Sequence, residues 1–187
     1  KLWTPETPNI YNFKIVSGKD EISSYFALRT IELKKGEKAC TMLNNKPYFF
    51  NGLLDQGYYS DGIYTPFSEQ GYIDDILKMK SLGFNMLRKH IKIEPEKFYY
   101  ECDRNGILVA QDFLMACGTY PEKEEWFLNA LRLESEYAVK KLRNHPCLAW
   151  WHGDNENAEW GSDTLEDFRG RDSALRGVAD QIYKYDK

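Results

Sequence analysis

Long apolar runs are missing from this 187-residue chain, and no segment is long enough to span a bilayer as a helix. An excess of basic residues is missing as well: 25 Lys and Arg stand against 29 Asp and Glu, a formal net charge of −4. No basic patch alternates with aromatics, so neither a nucleic-acid nor a membrane partner is expected. Cysteine is sparse. Cys40, Cys102, Cys117 and Cys147 form no C-x-x-C pair and fit no zinc spacing, so they are expected to be reduced, buried and inert. Histidine is sparser still. His90, His145 and His152 share no H-x-H or H-x-x-x-H spacing, which argues against a histidine metal site. KLWTPETP offers no initiator Met and no signal peptide, and it reads as a start inside a longer polypeptide. No G-x-G-x-x-G follows the first strand of the alternating region, which argues against dinucleotide binding.

Aromatics, by contrast, are abundant: 13 Tyr, 10 Phe and 5 Trp. They suit either a packed core or a surface that stacks on flat ligands such as sugar rings. Two segments differ in pattern. Residues 1 to about 45 read as strands, with alternation over 11–16, β-branched and aromatic residues over 25–33, and turn signals at Gly18-Lys19-Asp20 and Lys35-Gly36. From residue 46 the pattern becomes strand, helix, strand, helix. Strands are expected at 46–50, 84–87, 107–110 and 148–151. The helices between them are a first capped by Ser68, carrying Ile73, Ile76 and Leu77 on one face and ending at Gly83, a second opened by Pro95 and closed by Asn105-Gly106, and a third over 124–143; a last helix is expected over 173–185. Such alternation predicts an α/β fold with a parallel sheet and right-handed crossovers, either half of an eight-stranded barrel or a small open sheet.

The strand ends carry the chemistry. Arg88 follows the second strand, Gln111-Asp112 the third, and Asp154-Asn155-Glu156 the fourth. In a parallel barrel these ends converge on one face. A guanidinium holds one carboxylate ionised while a drier carboxyl stays protonated, and glycosidic cleavage uses such a pair. Taken singly, Arg88 and Asp112 read as helix caps and ion pairs ahead of catalytic groups. Taken together at successive strand ends, they read as a site.

The segments LWTPETPNIYNFKIV, YFALRTIEL, LNNKPYFFNGLLDQGYYSDGIYT, GFNMLRKH and NHPCLAWWHGDNENAEW occur in order and together resemble glycoside hydrolase family 2, the β-galactosidases, β-glucuronidases and β-mannosidases. The resemblance covers nearly the whole chain. It implies that residues 1–45 are the C-terminal strands of an immunoglobulin-like β-sandwich. Residues 46–187 would then be the N-terminal half of a (β/α)8 TIM barrel. It further implies a retaining exo-acting β-glycosidase with a carbohydrate substrate and no required cofactor. Glu156 would be the general acid/base and Asn155 the residue that binds the sugar 2-hydroxyl. Arg88 would lie near the nucleophile, and Asp112 would line the glycone pocket. The nucleophilic glutamate follows strand seven in that family, beyond Lys187, so the chain alone is expected to be inactive.

Substrate signals are divided. LLDQGYYSDGIYT and RKHIKIEPEKFYY resemble the galactosidase branch, whereas QDFLMACGTYP and GDNEN resemble the mannosidase branch, with His90 in place of a mannosidase-type Trp. Tyr58, Tyr59 and Trp160 are candidate stacking residues or ordinary packing. Glu159 and Glu166 read as solvent-facing charges, and His145 as a structural turn residue. A non-catalytic carbohydrate-binding fragment and a purely structural fragment remain the rival readings. A half-barrel leaves its outer strands open, so a homodimer through those edges is expected unless the last helix folds over one of them.

Overall fold

A computed structural model of the chain describes residues 1–35, 39–118, 120–156 and 177–186. The N-terminal part is antiparallel. β1 (Tyr11–Ser17) and β2 (Asp20–Phe26) form a hairpin in which Ser17 pairs with Asp20, and Gly18 takes the left-handed φ of 62° that this tight turn needs. β3 (Ile31–Lys34), β4 (Cys40–Leu43) and β5 (Lys46–Pro47) make a second antiparallel sheet in that order. The expected first barrel strand over 46–50 is therefore corrected. Asn44 and Asn45 both have positive φ, 52° and 64°, and together they turn the chain back so that Leu43 pairs with Lys46. Pro47, which has no N–H to give, sits on the edge strand of that sheet. Of the turn signal Lys35-Gly36, Gly36 lies outside the described residues.

The alternating pattern becomes a four-stranded parallel sheet. β6 (Gly52–Asp55), β7 (Met86–Lys89), β8 (Leu108–Asp112) and β9 (Leu148–His152) lie in chain order, every neighbouring pair parallel. The connections are α1 (Gln70–Ser81), α2 (Glu96–Asn105) and α3 (Glu125–Leu142). Helix α1 begins after Ser68, whose side chain makes no cap; Glu69 takes the cap position and the helix runs out at Leu82-Gly83. Its buried residues are Tyr72, Ile76 and Met79, while Leu77 is half exposed. The apolar stripe is thus rotated from the expected Ile73, Ile76 and Leu77. Pro95 and Gly106 bound α2 as expected, Gly106 closing it in the left-handed conformation. Of the predicted last helix, residues 177–185 are helical and the earlier part lies outside the described residues.

The helices cover one face of the sheet. Tyr72, Ile76 and Met79 from α1 and Phe98, Tyr99 and Cys102 from α2 pack with Leu87, Leu108 and Val109 in the main core. The other face is concave. In a flat sheet β6 and β9 would be about 14 Å apart, three strand spacings. Yet Phe50, just before β6, meets Trp150 of β9 edge to face with ring centroids 5.0 Å apart. That contact requires the sheet to curl.

The N-terminal segment is bound to this layer rather than separate from it. Trp3 is fully buried in the main core and donates its indole N–H to the Asp103 carbonyl at 2.8 Å. Asp103, also fully buried, accepts from Tyr25 Oη at 2.7 Å and from the Cys147 backbone N–H at 2.8 Å, and contacts His145 Nδ1 at 2.7 Å. His145 is thus the structural residue its place before β9 suggested. Arg29 donates to the carbonyls of Pro146 and Leu148. At the other flank, Trp151 of β9 donates to Asp186 at 2.7 Å and Val178 is buried against α3, so residues 177–186 lie beside the strand expected to be an open edge.

Candidate active site

The site begins with an irregularity in β9. Val109 pairs with Leu148, but Ala110 pairs with Trp150, so Ala149 is an extra residue. A bulge of this kind re-aims the side chains that follow it. Here it sets Trp150 in the same register row as Arg88 and Ala110, and sets His152 rather than Trp151 opposite Asp112. Alternation along the strands then gives Arg88, Asp112, Trp150 and His152 to the concave face. Lys89, Gln111 and Trp151 go to the helix-covered face.

On the concave face the four side chains form one hydrogen-bonded cluster. Asp112 is fully buried. It accepts from Arg88 through a fork: Nε lies 3.0 Å from Oδ1 and 3.1 Å from Oδ2, and Nη2 lies 2.8 Å from Oδ2. His152 Nδ1 lies 2.7 Å from Oδ1, and the Ile91 backbone N–H approaches Oδ2 at 3.4 Å. Burial by itself would raise the Asp112 carboxyl. The hydrogen bonds from His152 and Arg88, with the Arg88 charge, outweigh it and hold the group below the ordinary carboxylate range. Arg88 Nη2 also donates to Asn155 Oδ1 at 2.9 Å. Asn155 is buried, and its backbone N–H is held by the Met115 carbonyl at 3.0 Å. The Arg88 side chain keeps 34% exposure, and Nη1 takes no partner among the described residues. Glu156, next in the chain, is exposed and has a φ of 55°. Non-glycine residues in that left-handed region are uncommon and concentrate at functional sites.

Behind the sheet lies a second polar group, wholly structural in its surroundings. Lys89 is fully buried between Asp55 at 3.1 Å and Glu94 at 2.5 Å, and Lys92 joins Glu94 at 2.8 Å and donates to the Gly57 carbonyl at 2.6 Å. Two lysines and two carboxylates balance. Gln111, buried beside them, accepts from Tyr99 Oη at 2.6 Å and donates to the Lys92 carbonyl at 2.8 Å. This network ties the loops after β6 and β7 together at the end of the sheet that carries Arg88.

No family model matches the chain. β-Mannosidase B of Emericella nidulans is 29% identical over 175 residues, 83% of this chain and 20% of that protein. The solved β-D-mannosidase of Dictyoglomus thermophilum is 31% identical and superposes over the whole chain with a TM-score of 0.84, covering 25% of that structure. The chain belongs to glycoside hydrolase family 2. It spans about a fifth to a quarter of the length of these relatives. A family 2 β-galacturonidase from Eisenbergiella tayi, bound to galacturonate, shares the fold at a TM-score of 0.79 and 20% identity, with the whole chain covered and 32% of that structure.

Within this family 2 chain, the structure brings Arg88, Asp112 and Asn155 into direct contact and leaves Glu156 at their margin. The ion pair between Arg88 and Asp112 exists, but it lies across strand ends and caps no helix. Tyr59 packs on Tyr72 of α1 and beneath Lys92, and so belongs to the structural layer; Tyr58 is exposed beside Tyr64. Trp160, Glu159 and Glu166 lie outside the described residues. Cys102 and Cys147 are buried with their thiols pushed up by burial, but Cys117 is exposed, contrary to expectation, in the loop after β8. His152 was not among the expected site residues. Its only sequence signal is its spacing of two from Trp150, and the bulge that gives this spacing meaning has no mark in the sequence. Among the described residues no His, Cys, Asp and Glu cluster could hold a metal ion.

Proposed function

We propose that the chain is part of a retaining exo-acting β-glycosidase in which Glu156 is the general acid/base. In this reading the parallel sheet of β6 to β9 is the first half of a (β/α)8 barrel. Residues 1–45 are the last strands of an immunoglobulin-like sandwich. One observation carries the assignment: Arg88 and Asn155 are locked together at the strand ends, and Glu156 follows directly from Asn155. Arg88 Nη1 and the Asn155 amide would meet sugar hydroxyls, and Asp112 would hold the Arg88 fork. Glu156 would protonate the glycosidic oxygen as a carboxylate attacks the anomeric carbon, then take a proton from the water that releases the sugar. The attacking carboxylate is not Asp112. Both of its oxygens are engaged by Arg88 and His152, and it is buried beneath them. The family resemblance puts the nucleophile after the seventh strand, outside these residues, and no cofactor enters any step.

Between galactosides and mannosides, the relatives at 29% and 31% identity are both named as β-mannosidases, and this favours a β-mannoside. The test is hydrolysis by the longer polypeptide that carries this chain, with the first-formed anomer followed by NMR. A β-mannoside cleaved with β-mannose released first agrees with the proposal. Release of the α anomer, or no cleavage of any β-glycoside, refutes it.

A further inference from the structure

We propose that His152 is a positioning residue that sets the Arg88 guanidinium by holding Asp112 in a single orientation. This rests on reading the strand-end cluster as the sugar site, although its test does not. The indole N–H of Trp150 can only donate, and it points at His152 Nε2 from 2.8 Å. That nitrogen must therefore carry the lone pair, and the imidazole proton sits on Nδ1, from which it is given to Asp112 Oδ1 at 2.7 Å. Trp150 is itself held by the ring of Phe50 across the concave face. A chain of fixed donors thus runs from Trp150 to His152 to Asp112, and Asp112 meets the Arg88 fork from the other side. The terminal torsion of an aspartate is soft. Without His152 the carboxylate is held by Arg88 and by one long contact from the Ile91 N–H at 3.4 Å, and it can swing with the guanidinium, whereas a second strong donor on Oδ1 pins the carboxylate plane. Arg88 Nη2 is then presented to Asn155, and Nη1 to the open face.

The experiment uses the 187-residue chain labelled with ¹⁵N and needs no turnover. Imidazole spectra at neutral pH should show His152 protonated on Nδ1 and bare on Nε2. The Arg88 Nε–H should exchange slowly with solvent. His152→Asn places an amide N–H near the former Nδ1 and should preserve slow exchange. His152→Gln places no donor there and should speed exchange about tenfold or more, the effect of losing one charge-assisted hydrogen bond. A proton on Nε2 in the wild type, unchanged exchange in His152→Gln, or equal acceleration in both variants would overturn the proposal. If His152→Gln does not fold, Trp150→Phe decides: loss of the indole donor leaves the imidazole held only through Nδ1, so the Arg88 Nε–H should exchange faster, and exchange that stays unchanged refutes the chain of donors. A failure here leaves the glycosidase reading standing, because that reading is tested by product anomer and not by the state of an imidazole.

Discussion

Gly57 offers a sharp test of how the loops at the site end of the sheet are held. It has a φ of +68°, and a Cβ built on it would lie 3.0 Å from Lys92 Nζ and closer still to Lys89 Nζ and Glu94 Oε1. Flexible side chains elsewhere would step aside. These three cannot, because Lys89 and Glu94 are buried and locked in the network with Asp55 and Lys92. Gly57→Ala therefore carries a backbone penalty of about 1–2 kcal/mol for a left-handed L-residue. It also forces the buried pair apart, an effect of about 3–5 kcal/mol when a charge loses its partner. Gly18→Ala is the control. Gly18 has nearly the same φ, +62°, but nothing lies within 4 Å of the added carbon. Gly57→Ala should lower Tm by about 8–28 °C and Gly18→Ala by about 2–8 °C, at roughly 2–4 °C per kcal/mol for a chain of this size. Circular dichroism melts and urea titrations with unchanged slope would measure both. Equal losses in the two variants would show that the charged network yields freely, and the argument for its rigidity would fail.

Two further outcomes follow from the buried aspartates. Asp112 has a depressed pKa when folded, so it contributes stability above its ordinary value of 3.8 that is lost as pH falls through the lower folded value. A stability–pH series should show that Asp112→Asn lacks this acid limb, and parallel curves for variant and wild type would contradict the pairing with Arg88 and His152. Asp103→Ala should lower stability by about 2–4 kcal/mol, because Tyr25, His145 and Cys147 lose a buried acceptor together. It should also open the β1–β2 hairpin to limited proteolysis, and unchanged protection would show that Trp3 and Arg29 hold the N-terminal segment without it.

The alternation of apolar and polar residues was enough to find three helices and three of the four parallel strands, because Pro95, Gly83 and Gly106 act locally at helix ends. What failed was whatever depends on how the elements pair and pack. The strand over 46–50 was misplaced because Asn44-Asn45 reverses the chain onto β4, and the hairpin outcompetes extension into the parallel sheet. The face of α1 was rotated because Tyr72 and Met79, not Leu77, meet the core. Arg88, Asp112 and Asn155 could be named because they sit at strand ends. His152 could not, since one extra residue in β9 decides which way it faces. Lys89 and Lys92 look like surface charges in sequence, and their burial depends on Asp55 at the end of β6 and Glu94 in the loop after β7.

The central claim is that Glu156 delivers a proton to the leaving oxygen, and leaving-group dependence tests it most directly. In the longer polypeptide, Glu156→Gln should depress hydrolysis of β-glycosides with poor leaving groups by about 10²–10⁴-fold. Aryl glycosides with strongly acidic leaving groups need little protonic help, and the step that cleaves them should be far less affected. A loss of that size confined to poor leaving groups is the result the account predicts. Equal losses on both classes, or none on either, would contradict it.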